Sequence, residues 1–299
     1  MTYRQDIDGL RAVAVSVIVL FHMGLYELGG GFVGVDVFFV ISGFLITTIT
    51  LRDIETGQFG FKRFYMRRLR RLGPALGVTL LATTAMAVWL LTPAHLLSFA
   101  DSALATLFSL SNVHFWNTAD YFDLDAIYKP LLHTWSLAVE EQFYLVWPVV
   151  LLGLARLSAP GRLGLVVGLG VLGTIVSEVL LSTDPNAAFY LPVARMHEFA
   201  IGGALAVWGR VLPHRGAAHV SSLAGTLMIL GAAWLFTEGM RFPGMTALIP
   251  ALGAGLLILA GPQAVMNRIL SVTPIVYIGR ISYSLYLVHW PVVVFYNSR

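Results

Sequence analysis

The chain has no cysteine among its 299 residues, and only 12% of them are charged. Without thiols there is no disulfide framework, no thiolate metal site, no cysteine nucleophile and no thiol redox chemistry, while the compartment stays open. Soluble domains carry about 25% charged residues. A chain at half that level, with 57% hydrophobic residues and a mean hydropathy of +0.78, is not a soluble globule. Several catalytic signatures are missing as well: there is no Walker A loop, no H-E-x-x-H, no G-x-S-x-G and no H-x-x-x-D. Hydrolases and metalloenzymes of those kinds are unsupported, and no metal is expected.

What the chain does have is a succession of apolar segments of roughly 20 residues, the length that crosses a bilayer. The first follows Arg11, and others lie at 32–51, 73–92, 96–114, 137–155, 163–182, 196–212, 220–238, 244–261 and 276–296. The fold class that follows is all-α, a polytopic transmembrane helical bundle of about ten membrane helices in a single domain, residues 1–299. The first apolar run starts too early for a long basic leader and has no small-residue cleavage site behind it, so it reads as an uncleaved first helix. Pro160-Gly161, Pro185-Asn186 and Pro243-Gly244 punctuate short connections. Segment 96–114 carries Asp101, Ser102, Ser109 and Asn112 and reads either as a crossing or as a re-entrant element.

A net charge of +3 and a pI near 9.3 would suggest nucleic acid in a soluble protein. Here the excess sits in one run at 62–71, with Lys62, Arg63, Arg67, Arg68, Arg70 and Arg71, and signals membrane orientation instead; no nucleic-acid partner is expected. That run should be cytoplasmic, which puts the N-terminus there too. Nine crossings place Arg156, Arg162, Arg210, Arg215 and Arg268 inside and ten place them outside, so the charge count alone favours nine. Arg68 and Arg71 share a helix face and suit a phosphate gripped by paired guanidinium forks; Arg67 and Arg70 form a second such pair. The competing role is orientation plus contact with anionic membrane lipids, at about 1 kcal/mol per basic residue. Four arginines in five residues exceed what orientation needs.

His22 lies deep in the first helix, where an ionisable side chain is by default a functional hypothesis; its alternative is a hydrogen bond to a neighbouring helix. Arg11 lies on nearly the same face, roughly 16 Å away, and Asp8 can neutralise it. In residues 29–44 the glycines allow close approach to the first helix, and Asp36 is a candidate to hold the His22 imidazole in one tautomer. Glu140 and Tyr144 line one face of a later helix, and Glu140 and Glu141 near lipid point to a water-filled cavity or, for Glu141, to helix capping. Ser282, Tyr286 and His289 share a face near the end of the chain, where aromatic anchoring at the membrane interface is the competing account.

Asp8-Gly9-Leu10-Arg11 followed by His22, then residues 31–44, then Arg68-x-x-Arg71 with Pro74, then 132–148 and 282–291, together resemble the acyltransferase-3 family of integral membrane acyltransferases. The resemblance covers essentially the whole chain. It implies transfer of an acyl group, acetyl above all, from cytoplasmic acyl-CoA to a hydroxyl of an extracytoplasmic or lipid-linked glycan such as O-antigen, peptidoglycan or exopolysaccharide, in a bacterial inner membrane. It also implies that His22 is the essential histidine, acting as general base or as a transient acyl carrier, that Arg68 and Arg71 are the R-x-x-R motif, and that Glu140 is the acidic site residue. Asp36 completes the expected catalytic set, and Arg67 and Arg70 join the donor-binding set. The family's ten membrane helices favour ten crossings over the charge count. Blocks around Gly31 and Glu140 are in the style of members that continue into an extracytoplasmic SGNH-type domain, so the chain is expected to be either a stand-alone membrane domain or a truncated form. A transporter or flippase of lipid-linked sugars is the reading from another class, since intramembrane His, Glu and Arg also mark transport paths.

Overall fold

The computed structural model describes residues 3–24, 28–118 and 128–297, which are helix and connecting turn with no strand among them. The helices are α1 (Gln5–His22), α2 (Gly34–Glu55), α3 (Phe61–Leu90), α4 (Pro93–Leu107), α5 (Ser111–Thr118), α6 (Thr134–Leu154), α7 (Ala159–Thr183), α8 (Pro185–Tyr190), α9 (Met196–Trp208), α10 (Arg215–Leu235), α11 (Leu248–Ala260), α12 (Val265–Leu270) and α13 (Thr273–Asn297). Local chemistry sets several ends. Thr92 caps α4 by accepting from the His95 N–H, with Pro93 at the first helical position, and Asp184 caps α8 by accepting from the Ala187 N–H at 2.9 Å. Gly209 closes α9 at φ +66°, a conformation that costs a glycine nothing.

Five spans are long and apolar enough to cross a membrane by length and composition: Gly31–Glu55, Phe61–Leu90, Thr134–Leu154, Ala159–Thr183 and Arg215–Leu235. The first contains α2, whose apolar window is 72% buried inside the protein, against 17% for α3 and for α7. α2 is therefore the axis of the bundle, packed against α1, α6, α9 and α11. On α3 and α7 the outward stripes Val78, Leu81, Trp89 and Val171, Leu172, Ile175 are exposed and apolar, a surface that suits lipid and not water. The α2–α9 crossing runs through glycines. A Cβ on Gly43 would lie 2.1 Å from the Phe199 carbonyl oxygen, and one on Gly202 would lie 2.0 Å from that of Val40, so the two backbones touch.

Contacts between helix ends sort those ends into two groups. At one end, Arg162 in the first turn of α7 pairs with Glu55, the last residue of α2, at 3.0 Å, Arg4 donates to the Ile258 carbonyl of α11 at 3.2 Å, and Arg280 of α13 donates to the Tyr3 hydroxyl at 3.1 Å. At the other end, the Gly30 N–H donates to Ala233 of α10 at 3.0 Å, and Trp116 of α5 donates to Asp184 at 2.9 Å. Within segment 96–114 the chain turns back on itself. α4 descends until Ser109 bonds Glu141 inside the bundle, the chain turns at Ser109 with φ +57°, and α5 climbs back to the end it left. Among the described residues five helices have the length and composition to cross a membrane, so the expected ten membrane helices are not confirmed. Ser102, Ser109 and Asn112 of segment 96–114 are satisfied by α6 and by local carbonyls. Arg156, Arg162, Arg210, Arg215 and Arg268 lie towards the end that carries Arg67–Arg71, the arrangement that the charge count associates with nine crossings.

Candidate active site

Five elements enclose a cavity of about 280 Å³ in the basic half of the bundle: Arg11 comes from α1, Phe38, Phe39 and Ser42 from α2, Arg67, Arg68 and Arg71 from α3, Glu140 and Tyr144 from α6, and Ser282, Tyr283 and Tyr286 from α13. Helical spacing brings 67, 68 and 71 to one face, one turn apart. The Arg67 guanidinium is held by Asp53 at 2.7 Å. Arg68 lies over the Phe64 ring, 3.5 Å from its centroid, and 5.1 Å from that of Tyr144, which fixes a long side chain at the cavity wall. Its Nε is buried without a hydrogen-bond partner.

Glu140 projects into the same cavity and accepts hydrogen bonds from the Ser42 and Tyr144 hydroxyls. Two neutral donors and nearby guanidiniums make a carboxylate tolerable at this depth. Arg70 is not in the cavity. It faces a shallow groove with Lys62, Arg63 and Arg67, so the expected set of four donor-binding arginines is divided by the helix into three that reach the cavity and one that does not.

His22 does not line the cavity; it packs against the end of α13. Its Nδ1 is 3.0 Å from the Nε2 of His289, and its ring packs 4.6 Å from that of Trp290. His289 in turn donates from Nδ1 to the Tyr286 carbonyl at 2.6 Å. A third histidine, His133, packs against His289 with centroids 5.5 Å apart and donates from Nε2 to the Leu287 carbonyl at 3.0 Å. Tyr286 joins the two regions: its ring lines the cavity while its backbone anchors His289, and its hydroxyl bonds Ser136 at 2.6 Å and the His133 carbonyl at 3.0 Å.

Asp36 is not the partner of His22. Its Oδ1 accepts from Arg195 at 2.9 Å in a fully buried cluster that also holds Glu198, with Arg195 Nη1 3.4 Å from the Glu198 carboxylate. The rings of Phe39, Trp135, Phe189 and Phe242 surround the Arg195 guanidinium at 5.4–5.7 Å. The reason is register: Asp36 enters α2 on the side facing α9, whereas Phe38 and Ser42 face the cavity. Sequence reasoning missed Arg195 and Glu198, although two opposite charges beside an apolar segment are a signal that a buried pair is present. It placed His289 on one face with Tyr286 but did not bring it to His22, 267 positions away.

The profile of the acyltransferase-3 family, described as an acyltransferase domain, matches residues 4–299. The chain belongs to this family. Among curated acyltransferase-3 relatives, the peptidoglycan O-acetyltransferase OatA of Listeria monocytogenes is 36% identical over 310 residues, covering 97% of this chain and 49% of the relative. The putative peptidoglycan O-acetyltransferase YrhL of Bacillus subtilis is 35% identical, covering 98% and 49%, and the O-acetyltransferase OatA of Staphylococcus aureus is 32% identical, covering 99% and 51%. The chain spans about half the length of the curated relatives it matches. No solved structure matches it. Among the described residues no group of three or more His, Asp or Glu side chains is placed to hold a metal ion.

Proposed function

We propose that this chain is a membrane O-acyltransferase that moves an acyl group, acetyl by the names of its relatives, from cytoplasmic acyl-CoA to a hydroxyl of a cell-wall glycan such as peptidoglycan. The observation that carries the reading is that Tyr286 links a cavity with three arginines and Glu140 to the His22–His289 pair, its ring lining the cavity and its carbonyl accepting from His289. Arg67, Arg68 and Arg71 would grip the donor phosphates, with Arg11 and Glu140 further in. The thioester arm would run along Phe38 towards Tyr286, and the glycan hydroxyl would approach from the opposite end. His22 would take the hydroxyl proton as the oxygen attacks the thioester carbonyl. Because His22 does not line the cavity, transfer requires a path to open past Tyr286 when both substrates are bound. The same reading puts the arginine end and the N-terminus in the cytoplasm of a bacterium, the protein in the inner membrane, and an extracytoplasmic SGNH-type domain as a downstream partner.

Purified protein incubated with radiolabelled acetyl-CoA and cell-envelope glycan tests it. Ester-linked label in the glycan is the expected outcome. Movement of a lipid-linked sugar across proteoliposomes with no acetyl-CoA consumed would replace the proposal with the flippase reading.

A further inference from the structure

The hydrogen bonds at the end of α13 fix which nitrogen of His22 carries a proton. A backbone carbonyl only accepts, so His289 Nδ1, 2.6 Å from the Tyr286 oxygen, carries a hydrogen. His289 is 6% exposed and packs against His22, His133 and Tyr286, and a second proton would leave an uncompensated cation there. A neutral ring protonated at Nδ1 has its lone pair on Nε2, and that nitrogen faces His22 Nδ1 at 3.0 Å. His22 Nδ1 must then be the donor, which leaves the basic lone pair of His22 on Nε2.

We infer that His289 is a positioning residue that holds His22 in the Nδ1–H tautomer and aims its Nε2 at the acceptor hydroxyl. This inference rests on the acyltransferase reading for its chemical role, while the tautomer itself does not. The chain of bonds runs from a helix carbonyl through His289 to His22, so His289 Nε2 stands where a carboxylate orients the histidine of a Ser-His-Asp triad, and the carbonyl in turn orients His289. In the transfer step the hydroxyl proton passes to His22 Nε2, the hydroxyl oxygen forms a bond to the thioester carbon, and the carbon–sulfur bond breaks. The leaving thiolate takes the proton back from His22 Nε2, giving ester and free thiol. Throughout, His289 stays neutral and accepts from His22 Nδ1. His133 supports the arrangement from behind: its Nε2 donates to the Leu287 carbonyl, so it offers His289 no competing N–H from that nitrogen.

Two substitutions separate positioning from packing. In His289→Gln the side-chain oxygen occupies the place of Nε2 and still accepts from His22; in His289→Asn the amide stops at the place of Nδ1 and cannot reach. With the full chain in detergent, His289→Asn should lower kcat by roughly 10²-fold or more, the scale of a general base, with KM for acetyl-CoA within about twofold. His289→Gln should retain most of kcat. Equal losses in both variants, or wild-type turnover in His289→Asn, would overturn the proposal. ¹⁵N spectra of histidine-labelled protein, with the His22 signals assigned by their loss in His22→Gln, give a readout independent of turnover. The expected result is protonated Nδ1 and unprotonated Nε2 on His22 in the wild type, with that preference lost in His289→Asn. An Nε2–H tautomer of His22 in the wild type overturns the inference even where acyl transfer is confirmed. Absence of acyl transfer alongside the Nδ1–H tautomer would overturn the functional reading alone.

Discussion

At the residue scale the site divides labour between the cavity that holds the arginines and Glu140 and the His22–His289 pair, which Tyr286 joins. His22→Ala should reduce acyl transfer by 10²- to 10⁴-fold, because it removes the base and leaves the pocket walls in place. Size-exclusion profile and helix content in detergent should match wild type; a well-folded variant with normal turnover would remove His22 from the mechanism. For the arginines, geometry ranks what sequence spacing left equal. Arg68→Gln combined with Arg71→Gln should raise KM for acetyl-CoA about tenfold or more, since two charge-assisted contacts to phosphate are lost. Arg70→Gln should change it by less than about twofold, because that side chain points away from the cavity. Initial-rate measurements against acetyl-CoA concentration decide between this ranking and an undivided cluster.

Element-scale stability rests on the α2–α9 crossing, where backbones meet at Gly43 and Gly202 and the Asp36–Arg195–Glu198 cluster lies beside them. Opposed charges buried together are costly to break singly and much less costly to remove together. Arg195→Met alone leaves two carboxylates unpaired and should destabilise the protein by about 3–5 kcal/mol. Combining it with Asp36→Asn and Glu198→Gln should restore much of that loss, as read from thermal unfolding in detergent. If the triple variant is folded and still transfers acyl groups, Asp36 is structural. If it is folded and inactive, Asp36 or Glu198 serves the chemistry as well. Gly43→Leu should prevent the crossing outright, since even a Cβ there would lie 2.1 Å from a carbonyl oxygen.

Across the whole molecule, nine crossings, with segment 96–114 re-entrant, make a prediction that ten do not, and labelling decides between them. The chain lacks cysteine, so single reporters need no background removal. Gln58→Cys in the α2–α3 turn and Arg215→Cys at the start of α10 should be labelled from the same face by a membrane-impermeant maleimide. Glu238→Cys after α10 should be labelled from the other face. If the arginine end is cytoplasmic, as proposed, the first two should react and the third should not in inverted membrane vesicles, which expose the cytoplasmic side. With ten crossings Arg215→Cys and Glu238→Cys would exchange sides, an outcome that would sink the re-entrant reading of segment 96–114.

Much of this protein is legible from the chain alone. Apolar segments of bilayer length specify helices because no other structure satisfies the backbone in lipid, and the rarity of ionisable residues there singled out His22, Glu140 and the arginines. The positions of Arg156, Arg162, Arg210, Arg215 and Arg268 favour nine crossings, against the ten of family expectation. Partners were not legible. A helix has a face, but sequence does not say which neighbour it meets, so Asp36 looked suited to His22. Only packing set its register against Arg195. The same holds for His289: periodicity put it on one face with Tyr286, and only the folded bundle brought its Nε2 within 3.0 Å of His22. Composition determines that these groups must be paired or solvated at membrane depth, because isolated charge there is costly; tertiary structure alone decides with whom.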